Sequence, residues 1–128
     1  MILDTSAVAA IMFQEPGHER LVDRMGSASA LSIGAPTLAE TGIVLSARLR
    51  ADARGLLSRL LMEAEIGILP FTEAHFGVAV GAWRTFGRGR HEAALSFGDC
   101  LSYATARLAD RPLLCVGDDF AKTDIELV

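Results

Sequence analysis

The sequence predicts an α/β fold, a three-layer sandwich with a mostly parallel central sheet of about five strands flanked by helices. Three observations carry that expectation. Short apolar runs at Met1–Leu3, Ala30–Ile33, Ile66–Phe71 and Leu113–Val116 alternate with longer stretches of helical periodicity. Two helical stretches separate successive strands early in the chain, so the insertions are helical. A carboxylate, Asp4, follows the first strand directly, and in a parallel sheet ligands and chemistry gather at the carboxyl ends of the strands.

Each element has its own signal. Ser6 is expected to cap a helix to about Gln14, with Ala7, Ala10 and Ile11 on one face, and Glu15-Pro16-Gly17 breaks it. A second helix, about His18 to Met25, turns Leu21, Val22 and Met25 inward. After the strand at Ala30–Ile33, Pro36 suits the first position of a helix running to about Arg50, whose apolar face is read as Glu40, Ile43, Val44 and Ala47. A fourth helix, about Asp52 to Glu65, carries Leu56, Leu57, Leu60 and Leu61. Thr72 caps a fifth helix to about Phe86, and Gly87-Arg88-Gly89-Arg90-His91 follows as a flexible basic loop. A sixth helix runs from near Phe97 to near Ala109. Gly117–Phe120 is a turn, and Asp124–Val128 alternates as a last edge strand.

Composition narrows the class. At 128 residues, 51% of them hydrophobic, residues 1–128 are expected to form one domain with a real core. No apolar run approaches the roughly 18 residues of a membrane span, and no basic segment opens a signal peptide. Two cysteines, Cys100 and Cys115, make neither a disulfide framework nor a zinc site. A reducing cytoplasm is therefore the expected location. A net charge of −4 argues against bulk electrostatic binding to nucleic acid, but an acidic metal site itself lowers the net charge.

Four acidic positions bear on chemistry: Asp4 after the first strand, Glu40 on the third helix, Asp99 at the start of the sixth, and Asp118, with Asp119 beside it, after the fourth strand. Singly, each has an ordinary reading: helix cap, ion-paired helix acid, first-turn acid or turn residue. Together they make a problem. Two carboxylates about 4 Å apart repel by roughly 4 kcal/mol at an effective dielectric near 20. A divalent cation removes that repulsion, and an all-oxygen donor set selects Mg²⁺ or Mn²⁺ over zinc. Such ions activate water and neutralise phosphates, which suits phosphodiester hydrolysis.

These residues sit in a familiar pattern. Ile2-Leu3-Asp4-Thr5-Ser6, Thr37-Leu38-Ala39-Glu40-Thr41, Phe97-Gly98-Asp99-Cys100-Leu101-Ser102-Tyr103-Ala104 and Leu113-Leu114-Cys115-Val116-Gly117-Asp118-Asp119-Phe120 resemble, in order and across the whole chain, the motifs of PIN-domain nucleases. Within that family the chain looks like the VapC-type ribonuclease toxins of bacterial toxin–antitoxin pairs. That resemblance implies a Mg²⁺-dependent endoribonuclease cutting structured RNA, held inactive by a cognate antitoxin and usually dimeric. Asp4, Glu40, Asp99 and Asp118 carry over as metal-site acids, the doublet leaving the choice between Asp118 and Asp119 open. Thr5 or Ser6 would orient the site.

Between Ala74 and His91 there is no acid, while Arg84, Arg88, Arg90, His75 and His91 are present. Arg88 and Arg90 in their glycine-rich loop are the candidate RNA contacts, and Trp83 and Phe86 are read as core residues. The arginines at 48, 50, 54 and 59 read as a solvated face. His18, His75 and His91 share no spacing that would serve a histidine-pair ribonuclease. Other readings fit less well. Haloacid dehalogenase-type phosphatases need an Asp where Ser6 stands, and receiver domains need an early acidic pair. A non-catalytic RNA- or partner-binding module of the same fold is the alternative, and retention of all four acids speaks against it.

Overall fold

A computed structural model describes residues 1–128. The elements run β1 (Ile2–Leu3), α1 (Thr5–Met12), α2 (His18–Gly26), β2 (Leu31–Gly34), α3 (Ala35–Leu49), α4 (Arg54–Glu63), β3 (Ile66–Leu69), α5 (Glu73–Phe86), α6 (Phe97–Ala109) and β4 (Leu113–Leu114), then a 3₁₀ turn at Phe120–Lys122. The four strands form one parallel sheet in the order β3-β2-β1-β4. Ile2 is level with Leu113, and Leu3 with Leu114.

Side chains alternate across a strand, and that alternation divides the core in two. Ile2 and Leu113 pack with Ala79, Ala82, Leu95 and Tyr103 of the α5–α6 layer. Leu3 and Leu114 pack with Ala7, Val8, Leu45 and Leu57 of the α1–α3–α4 layer. Each buried Leu or Ile contributes about 1.5–3 kcal/mol, so two-residue strands suffice to hold the centre of the sheet. Arg111 ties the amino-terminal edge together. Its guanidinium donates to Ser32 Oγ at 2.8 Å, to Ala30 O at 2.8 Å and to Met1 O at 3.1 Å.

Several elements differ from expectation. The sheet has four strands rather than about five. Of Asp124–Val128 only a single parallel bridge, Leu113 to Leu127, survives. The start of that segment is held away from the sheet by Asp124, which accepts from Tyr103 Oη and from Arg107 Nη2, both at 2.6 Å. The first helix is capped by Asp4 rather than Ser6 and ends at Met12. The buried face of α3 is Thr37, Thr41 and Leu45, while Ile43 is 71% exposed. Buried threonines are tolerated there because they bond one another. Thr41 Oγ1 lies 2.9 Å from Thr5 Oγ1 and donates to Thr37 O at 2.7 Å. No residue of α2 is fully buried, and Val22, Leu49 and Leu56 are exposed. Trp83 is not in the core but 43% exposed, whereas Phe86 packs against it. The basic loop after α5 is a closed turn. Arg88 N–H donates to Leu95 O at 3.1 Å and Leu95 N–H to Phe86 O at 3.0 Å. The arginines of α3 and α4 do form a solvated face, with pairs Arg48–Glu15, Arg54–Asp52 and Arg59–Glu63. No helix is long and apolar enough to cross a membrane.

Candidate metal and active site

The chain steps outward from β1 through β2 to β3, then returns to the opposite side of β1 with β4. The strand order reverses at β1 and β4, and open parallel sheets form their binding crevice beyond the carboxyl ends at such a reversal. Asp4 follows β1 there, and Asp118 and Asp119 follow β4. Asp99 lies in the first turn of α6, the helix leading into β4. Glu40 lies on α3, the helix leaving β2.

Asp4 is buried, 4% exposed, and its carboxylate is held on both oxygens. Oδ2 accepts from Ser6 N–H at 3.0 Å and from Ser6 Oγ at 2.6 Å. Oδ1 accepts from Ser102 Oγ at 2.6 Å. Ser6 Oγ accepts in turn from the Val116 N–H at 3.0 Å, which ties the loop after β4 to the start of α1. Thr5 points the other way, buried against Thr37 and Thr41, and is not brought to the site.

Asp99 closes a capping box. Ser96 N–H donates to Asp99 Oδ2 at 2.9 Å, and Asp99 N–H donates to Ser96 Oγ at 3.2 Å. Burial raises the Asp99 carboxyl above its ordinary value, and the charges of Asp4 and Asp119 add to that. The Cys115 thiol is pushed up to about 12, by burial first and then by Asp4, Asp99 and Asp119. Its surroundings are thus acidic rather than purely apolar. Cys115 and Cys100 are both free thiols. Asp119 bears on both Asp99 and Cys115. Glu40 reaches the same helix end. Its Oε2 stands 2.0 Å from where a Cβ on Gly98 would be. None of these acids is in an ion pair.

The donor set therefore fits a hard divalent cation in kind: all oxygen, mutually repelling and without a basic partner. As the side chains stand, no three His, Cys, Asp or Glu residues converge on a point that would hold a metal ion. Asp4 is turned onto two serines, and Asp99 onto its own helix cap.

Comparison with known proteins shows the family of this fold. The PIN domain model matches residues 1–126. The chain belongs to the PIN-domain family. It is 46% identical over 127 residues to Ribonuclease VapC36 of Mycobacterium tuberculosis, covering 98% of this chain and 91% of that one. It is 39% identical to Ribonuclease VapC28 of the same organism, covering 98% and 96%. These relatives place it in the VapC branch of the family. The fold matches that of VapC20 from M. tuberculosis, a Sarcin-Ricin loop cleaving toxin, with a TM-score of 0.72 at 20% identity over 99% and 97% of the two chains. It also matches a toxin–antitoxin complex from Klebsiella pneumoniae, with a TM-score of 0.71 at 17% identity over 99% and 95%.

Along α5 and the start of α6, this PIN domain carries a basic and aromatic lip. The Arg90 guanidinium lies 4.3 Å from the Trp83 ring centroid. Trp83, Arg88 and Phe97 line a cavity of about 440 Å³, and Phe97, two residues before Asp99, is 81% exposed. A second, wider groove of about 900 Å³ runs between α3 and α4, lined by Leu38, Ile43, Leu57 and Leu61. The histidines serve local backbone. The ring Nδ1 lies 3.0 Å from Glu15 O for His18 and accepts from Thr72 N–H for His75 and Ala93 N–H for His91.

Two residues of the site are absent from the sequence-level candidates. Gly98 is the space that Glu40 fills. Ser102 is the second holder of Asp4. Its spacing is a usable signal: Ser102 follows Asp99 by three positions, hence on the same helix face.

Proposed function

We propose that this VapC-branch PIN domain is a metal-dependent endoribonuclease, the toxin of a toxin–antitoxin pair, hydrolysing phosphodiester bonds in RNA. The observation that carries this reading is the delivery of Asp4, Glu40, Asp99 and Asp119 to one end of the sheet with no basic partner. Those four acids would hold Mg²⁺, or Mn²⁺, which when bound supplies an activated water and neutralises charge at the scissile phosphate. Asp119 is preferred to Asp118 because its charge bears on Asp99. Ser6 holds Asp4 in place, and Gly98 admits Glu40. Arg88 and Arg90 would take the RNA backbone, with Trp83 and Phe97 offering faces on which unpaired bases stack. No histidine is needed as a general base.

The partners belong to the same proposal. An antitoxin is supported by a toxin–antitoxin complex among the structural neighbours, and a homodimer by the exposed Phe76 and Val80 on α5. A cytoplasmic location follows from an RNA substrate.

The deciding experiment is incubation of purified, antitoxin-free protein with a mixed RNA pool in Mg²⁺ or Mn²⁺, in EDTA, and as Asp99→Asn. Discrete cuts that vanish in EDTA and in the variant are the expected outcome. Cleavage that survives either change refutes the metal mechanism. Absence of cleavage by folded protein supports a binding module, the reading to which the unconverged acids lend weight.

A further inference from the structure

We infer that Ser102 is a positioning residue that, with Ser6, would hold the Asp4 carboxylate in place for a divalent cation. The inference rests on the metal-site reading above. A carboxylate offers about four lone-pair positions. In Asp4 both positions on Oδ2 are taken by Ser6, through its N–H and its hydroxyl. One position on Oδ1 is taken by the Ser102 hydroxyl at 2.6 Å. Both serine hydroxyls donate to Asp4, each at the short distance of 2.6 Å.

The direction of the Ser102 bond is set by its neighbours. Ser102 is fully buried, 0% exposed, and its only other side-chain partner is Thr37 Oγ1 at 3.3 Å. Because the Ser102 proton goes to Asp4, Thr37 must donate to Ser102. The result is a buried relay, Thr37 to Ser102 to Asp4, that runs from α3 through α6 to the end of β1. The face of α6 that brings Asp99 to the site also brings the hydroxyl that orients its neighbour, three residues on. Groups that orient metal ligands are typically worth 10–100-fold in metal affinity.

The test measures Mn²⁺ affinity directly, by calorimetry or by the electron paramagnetic resonance signal of free Mn²⁺, on the full chain without RNA. Ser102→Ala and the near-isosteric Ser102→Cys are each expected to weaken Mn²⁺ binding about tenfold or more. Ser102→Thr, which keeps the hydroxyl, is expected to stay within about threefold of wild type and so to rescue the alanine loss. Thr41→Val is the control for a merely structural role. It removes an equally buried hydroxyl, bonded to Thr5 and Thr37 but not to Asp4. It is expected to lower the melting temperature and leave Mn²⁺ affinity unchanged. Wild-type binding with unchanged affinity in both Ser102→Ala and Ser102→Cys overturns the positioning role and leaves the metal site standing. Equal losses in Thr41→Val and Ser102→Ala overturn it as well, since the effect would then be general. A folded wild type that binds no Mn²⁺ overturns the metal reading and this inference with it.

Discussion

Gly98 and the carboxylate of Glu40 compete for the same space: a Cβ on Gly98 would stand 2.0 Å from Oε2 and 2.8 Å from Cδ of Glu40. The backbone of Gly98 does not require glycine, since its φ is not positive. Its value is the close approach of an acid from α3 to the first turn of α6. Gly98→Ala is expected to displace Glu40 and lower RNA cleavage by about tenfold or more, since misplacement of about 1 Å can cost on the order of 10²-fold. In a Glu40→Ala background the same substitution is expected to cost no further activity. A double-mutant cycle of cleavage rates checks both statements. Additive losses would separate the two residues.

Asp99 carries a stability penalty that its proposed role explains. Burial and the charges of Asp4 and Asp119 work against its ionised form. Asp99→Asn removes a charge and can still accept the Ser96 N–H. Its melting temperature in metal-free buffer is therefore expected to equal or exceed that of wild type, while cleavage falls by about 100-fold or more. Added Mn²⁺ is expected to raise the wild-type melting temperature and not that of the variant. Thermal scans with and without Mn²⁺ decide it, and an equal Mn²⁺ shift in both proteins would remove Asp99 from the ligand set.

Asp124 supplies the pH dependence of the carboxyl-terminal tether. The hydrogen bond from Tyr103, and then that from Arg107, hold its carboxyl below the ordinary value of 3.8. A depressed carboxylate stabilises the fold above its unfolded value and loses that contribution as pH falls below about 4. Asp124→Asn is expected to lose roughly 0.5–1 kcal/mol at pH 7, kept small because the ion pair is largely solvated. The gap from wild type should close as the pH is lowered past 4. Denaturant titrations at pH 7 and pH 3.5 measure it, and a gap that persists unchanged at the lower pH would refute the assignment.

Arg90 should act on substrate binding rather than on the chemical step. It lies exposed on the lip and stacks on Trp83. Arg90→Ala is expected to raise KM about three- to tenfold, leave kcat within about twofold, and reduce the slope of log KM against log salt by about 1. Steady-state cleavage at several salt concentrations provides the test. A fall in kcat with unchanged KM would place Arg90 among the reacting groups instead.

The order of strands and helices was legible because it is written in local period. Apolar runs closed by Asp4, Gly34, Pro70 and Gly117 mark the strands, and capping residues such as Thr72 mark a helix start. Local pattern failed where a long-range contact decided. The alternation of Asp124–Val128 reads as a strand, but Tyr103 and Arg107 hold its first residue elsewhere. The face of α3 reads as Glu40, Ile43 and Val44, but hydroxyl pairing with α1 and α6 turns Thr37 and Thr41 inward. Trp83 reads as a core residue of α5, yet it is 43% exposed with the Arg90 guanidinium 4.3 Å from its ring centroid.

The acids themselves could be picked out one by one, since each stands at an element boundary or on a helix face that chain order reveals. Their environment could not. That Asp4 is held by Ser6 and Ser102, residues 2 and 98 positions away, that Glu40 rests on Gly98, and that Asp119 bears on Asp99 are consequences of strand order and helix packing. Hydrogen bonds and charge repulsion act over a few ångströms of space, and a sequence records only distance along the chain.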